Sequence, residues 1–256
     1  MALRSGNPAL KAETFSNYTT RVSGGAVDDG TSMSLNGVVN KTALMLVFLT
    51  GTAGVTWKMF AAGQVSTVYA MMIGGLIVSS ILALVTIFKK ETSPYTTLPY
   101  ALAEGFTLGG ISAFMEMRYP GIVMQAVGAT FGTLLCLLAA YRSGVIKATE
   151  NFKLGIFAAT GGICTLYLVT IVLRLFGIEM PFVHDTGLFG IGFSLFVVVI
   201  AALNLVLDFD FIETGVEMRA PKWMEWYAAF GLMVTLIWLY LEILRLLAKL
   251  NGRSRD

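Results

Sequence analysis

The sequence is short of the residues on which most hydrolytic sites and disulfide scaffolds are built. One histidine, His184, and two cysteines, Cys136 and Cys164, occur in 256 residues. A lone histidine forms no cluster and the cysteines are too far apart for a zinc spacing, which argues against a zinc hydrolase. Both cysteines lie inside apolar runs, the pattern of packed thiols with no disulfide framework. Charge is scarce as well, at 13 % of residues with a net of +2. No basic stripe interleaved with aromatics is present, so nucleic acid is not an expected partner.

What is abundant is apolar surface. Hydrophobic residues make up 56 % of the chain and the mean hydropathy is +0.74, too high for an ordinary soluble domain. Residues 1–37 are polar, with Arg4, Lys11 and Arg21 but no apolar core of signal-peptide type. They read as a flexible cytoplasmic tail and not as a cleaved targeting segment. The transmembrane domain is expected over 38–250, and 251–256 form a short polar end.

Within that domain hydropathy breaks into seven runs, at about 42–62, 65–88, 96–115, 120–141, 153–177, 187–212 and 223–249. Each has the roughly 20 residues needed to cross a hydrocarbon core of about 30 Å. Runs this long without period-two alternation predict helices, because a backbone in lipid must satisfy its own hydrogen bonds. The expected fold class is therefore all-α, a polytopic seven-helix bundle in a lipid bilayer. Gly105, Gly109 and Ala113 stand four apart, and the pairs Gly74-Gly75 and Gly161-Gly162 lie inside spans; small residues so placed predict close helix packing.

Basic residues set the expected orientation. Arg4, Lys11, Arg21, Lys41, Lys89, Lys90, Arg142, Lys147, Lys153, Arg219 and Lys222 share one side and outnumber those on the other, which predicts a cytoplasmic N-terminus. The basic C-terminal end, with Arg245, Lys249, Arg253 and Arg255, then falls outside and is read as a tolerated exception.

Carboxylates inside apolar runs carry the chemistry, since an acid in hydrocarbon is costly and marks a functional site by default. Asp208 closes the run SLFVVVIAALNLVLDFDFIE. Asn204, four residues earlier, shares its helical face, so its amide is placed to hydrogen-bond the carboxyl. Asp210 points away, to the mouth of the span. Glu242, in IWLYLEILRLL, has Arg245 three positions on, where an ion pair can form. The other reading of Glu242 is a second carboxylate facing Asp208, a pair able to hold a proton or a hard cation such as calcium. Glu104 falls mid-span in YALAEGFTLGG, with Tyr100 and Thr107 on its face. Glu116 and Glu225 look interfacial. His184 with Asp185 reads as loop chemistry.

Taken together, EGFTLGGISAFME in span three, LVLDFDFI closing span six and LYLEILRLL in span seven resemble a bacterial member of the Bax inhibitor-1 family, in its YccA-like branch. The resemblance spans about 37–250. It implies a seven-helix fold with the last helix central, an inner-membrane location, and a calcium-leak activity gated by pH. Residue by residue it places the two gating acids on Asp208 and Glu242, the second a glutamate where the family has aspartate. A basic residue that locks the aspartate would fall at Lys89 or Lys90. The interval from Asp208 to Glu242 is longer than in relatives, and two extra turns would displace Glu242 by about 11 Å. A different class of function is also implied, a non-conducting regulator that binds the membrane protease FtsH. An intramembrane hydrolase using Ser112 or Ser194 with His184 lacks a nucleophile–base spacing, so the chain is expected not to be an enzyme and to need no cofactor. Oligomeric state is not legible.

Overall fold

A computed structural model describes residues 32–177 and 187–253. The N-terminal tail to residue 31 and the expected loop with His184 and Asp185 lie outside them. Among the described residues seven α-helices follow one another: α1 Leu35–Ala61, α2 Val65–Phe88, α3 Ser93–Arg118, α4 Ile122–Arg142, α5 Glu150–Leu175, α6 Leu188–Glu217 and α7 Met224–Arg253. Among the described residues there is no strand, only an isolated bridge from Ser32 to Pro221. The all-α expectation holds, and helix ends differ from the hydropathy breaks by a few residues. The largest difference is at α1, which starts at Leu35 because Ser34 caps it, its hydroxyl accepting the Gly37 N–H at 3.1 Å.

Among the described residues six helices are long and apolar enough to cross a membrane; α3 is the exception. Its 26 residues carry Pro99, Glu104 and several threonines, and fourteen of them are buried. In α2 only four of 24 are. Lipid demands an apolar surface, whereas a helix faced by other helices can carry polar groups, so hydropathy understates α3. The same contrast sets α6 and α7 apart: 50 % and 61 % of their most apolar stretches are buried, against 17–22 % for the other four spans. The exposed large side chains of those four, such as Val47, Ile77, Leu135 and Leu168, are their lipid face. Cys136 and Cys164 belong to it; both are exposed, which corrects the expectation of packed thiols.

The helices form two compact units. One contains residues 121–177, 187–210 and 235–253: α4, α5 and the larger parts of α6 and α7. Its apolar centre is Ile163 with Val197 and Ile200, flanked by Ala159, Tyr167, Phe193 and Trp238.

The other unit contains 32–120 and 211–234. There α3 packs along both α1 and α2, through glycine. A methyl group on Gly109 would lie 2.6 Å from the Ala53 carbonyl oxygen, and one on Gly75 would lie 2.6 Å from that of Ala103. Gly105 is closed in by Leu49 and Thr52. Gly74, beside Gly75, has nothing within 4 Å, nor do Gly161 and Gly162; of the glycines singled out, only those on the α3 interfaces serve packing. Replacing Gly75 with alanine is therefore expected to cost about 1–3 kcal/mol, while Gly74→Ala should be neutral or stabilise by up to about 1 kcal/mol. Thermal unfolding of the two variants in detergent separates them, and equal behaviour would contradict the assignment of faces.

Candidate functional site

Asp208 and Asp210 of α6 sit in the first unit. Asp208 is wholly buried. Asn204 shares its face one turn earlier, but its amide does not serve the carboxylate: it donates to Thr160 Oγ1 at 2.9 Å on α5 and to the Ile200 carbonyl at 2.8 Å. Asn204 is thus a rung between α5 and α6. Asp210 is only partly exposed, and its Oδ2 lies 2.7 Å from the Lys153 ammonium, itself buried and 3.8 Å from Glu150. Lys153, counted in the sequence among the basic residues that set orientation, is a buried residue of the first turns of α5.

Glu242 is buried on α7 with its carboxylate committed. Arg245 donates to both oxygens, at 2.9 and 3.0 Å. The Tyr167 hydroxyl of α5 donates to Oε1 at 3.1 Å and accepts from Arg245 at 2.6 Å. The result is a three-residue staple between α5 and α7, the ion-pair reading of Glu242 with a tyrosine added.

Register keeps Glu242 away from Asp208. Lys249 donates to the Gly190 carbonyl at 3.0 Å, and Trp238 packs against the cluster of Val197 and Ile200. These contacts run α6 and α7 antiparallel and place Glu242 level with about residue 197. At 1.5 Å per residue Asp208 lies about 16 Å further along. Among the described residues, no three His, Cys, Asp or Glu side chains are grouped as a metal site. With Glu242 committed to Arg245 and Tyr167, the two acids do not fit a shared calcium site.

The second unit holds the remaining candidates. Glu104 is buried on α3, with Ser79 of α2 and Tyr100 near its carboxyl. Tyr100 meets Phe230 edge to face, ring centroids 5.0 Å apart. Lys89 ends α2, and Lys90 lies 5.8 Å from the ring centroid of Tyr227. Both lysines belong to this unit and Asp208 to the other.

The most elaborate charge site here is one the sequence left as interfacial. Glu225, in the first turn of α7, is wholly buried. Its Oε1 accepts the Ser34 N–H at 2.9 Å, the Ser34 hydroxyl at 2.8 Å and the Lys222 ammonium at 3.0 Å; its Oε2 accepts from Lys41. Lys41 also stands over the Trp226 ring at 5.2 Å, and Gly37 leaves room for the carboxylate. The same glutamate thus closes the N-terminus of α1 and docks it on α7. Nothing local in the sequence signals this, because Ser34 and Glu225 are 191 residues apart.

Comparison with known proteins adds one match. The family model described as Bax inhibitor 1 like covers residues 7–252, whereas no curated protein and no solved structure matches. A match of that extent, on a multi-pass helical chain, shows that the protein belongs to the Bax inhibitor 1 like family.

Proposed function

We propose that the protein is a pH-sensitive cation leak, with calcium the favoured ion, resident in a bacterial inner membrane with its N-terminus cytoplasmic. It performs no catalysis in this reading. The observation that carries it is Asp208, a wholly buried acid within an apolar membrane helix. Taking an ionised carboxylate out of water into a protein interior costs several kcal/mol before pairing. Its charge state is therefore coupled to how its surroundings pack, and protonation becomes a means of changing helix contacts. Glu104 is a second buried acid of the same kind. Glu242, held by Arg245 and Tyr167, is assigned a structural part.

The test is calcium entry into proteoliposomes across a pH series. Wild type should show a pH-dependent flux, Asp208→Asn a flux that no longer responds to pH, and Glu242→Gln a weakened protein whose flux still does. No flux above empty vesicles, with folded protein, would overturn the leak and favour a non-conducting regulator that binds a membrane protease.

A further inference from the structure

The buried side chains of α5 form a single stripe. Lys153, Ile156, Thr160, Ile163 and Thr170 are its buried residues, and Tyr167 joins them against Glu242. The steps alternate three and four, the spacing of a coiled-coil seam. One row of the seam is polar throughout: Lys153, Thr160 and Tyr167, seven apart. Each meets a different partner, Asp210, Asn204 and the Glu242–Arg245 pair. The other faces of α5 are apolar and exposed, Leu154, Phe157 and Ile171 among them. Lipid is as apolar as those side chains, so the seat of α5 depends on packing and on these polar rungs.

Lys153 is the rung that stability alone does not account for. Its ammonium is buried, which costs several kcal/mol before pairing, and it lies close to the N-terminus of α5, where the helix dipole opposes a cation. A leucine there would continue the seam at no electrostatic cost. The antiparallel register, with Ile163 against Val197 and Ile200 and Thr160 bonded to Asn204, puts Asp208 level with about residue 155. Lys153 is therefore within one helical turn of the level of the buried acid.

We propose that Lys153 is a latch: a positioning residue whose ion pair with Asp210 holds the start of α5 against α6 and closes the seam beside Asp208. Its effect on ion flow rests on the leak reading; the latch itself does not.

The experiment uses the full chain with Cys136→Ala and Cys164→Ala, both exposed positions, and Ile156→Cys as a reporter inside the seam. On this background Lys153→Met, Asp210→Asn, Lys153→Arg and the double exchange Lys153→Asp with Asp210→Lys are compared in proteoliposomes. Labelling of the reporter by a polar maleimide and calcium entry are both recorded. The two neutral variants are expected to label at least tenfold faster than the parent and to pass several-fold more calcium. Lys153→Arg and the exchange should return both toward the parent, the exchange helped by placing a carboxylate near the N-terminus of α5. Unchanged labelling in the folded neutral variants overturns the latch. If those two fail to fold, parent-like labelling in the exchange supports the pair, and fast labelling in it or in Lys153→Arg overturns it. Labelling that follows the pattern with no calcium entry in any protein leaves the latch standing and removes the leak.

Discussion

Glu225→Ala is expected to lower stability by about 3–5 kcal/mol, the usual result of removing one side of a buried ionic site. The carboxylate accepts from Lys41, Lys222, and both the N–H and hydroxyl of Ser34. Without it two ammonium groups face each other with no anion between them, and the Ser34 N–H loses its acceptor. The cap of α1 then fails together with its attachment to α7. Glu225→Gln keeps the shape but leaves the cations uncompensated, so it should fall between alanine and wild type. Lys222→Ala removes a half-exposed partner and should cost no more than about 1 kcal/mol. Thermal unfolding in detergent measures all three, with a fall in Tm of about 10 °C expected for Glu225→Ala. A loss no larger than that of Lys222→Ala would mean that the site contributes little.

Gly109→Leu should prevent α1 and α3 from assembling, and Gly109→Ala should cost about 1–3 kcal/mol. Here a Cβ would meet backbone: the Ala53 carbonyl oxygen at 2.6 Å and its Cα at 2.7 Å. A side chain can rotate out of the way, but two helix backbones can only separate, and separation forfeits dispersion contacts along the whole interface. Gly128, with nothing within 4 Å, is the matched control and should accept alanine. The measurement is the yield of monodisperse protein after extraction; normal yield of Gly109→Leu would contradict the close approach.

Fold class and span placement could be read from hydropathy because the bilayer imposes a length and a polarity on each crossing that a linear sequence must obey. Six of the seven runs meet both conditions. In α3 the rule weakens, since its polar residues face protein. The acids Asp208, Glu104 and Glu242 were legible for the same reason, a charge inside an apolar run being conspicuous without neighbours. The Glu242–Arg245 pair was legible too, three residues apart on one helix.

Partners on other helices were not. Asn204 shares a face with Asp208, yet its amide turns to Thr160 and the Ile200 carbonyl, because hydrogen-bond direction is set by what stands opposite. Lys153 counted only as a basic residue setting orientation and is buried against Asp210; Glu225 looked interfacial and is wholly buried. Sequence by itself determined which segments are helical and which of them carry acids, since these depend on local composition measured against lipid. Only the tertiary structure decided which charges meet, and at what depth, because pairing depends on the register and facing of helices that lie far apart in the chain.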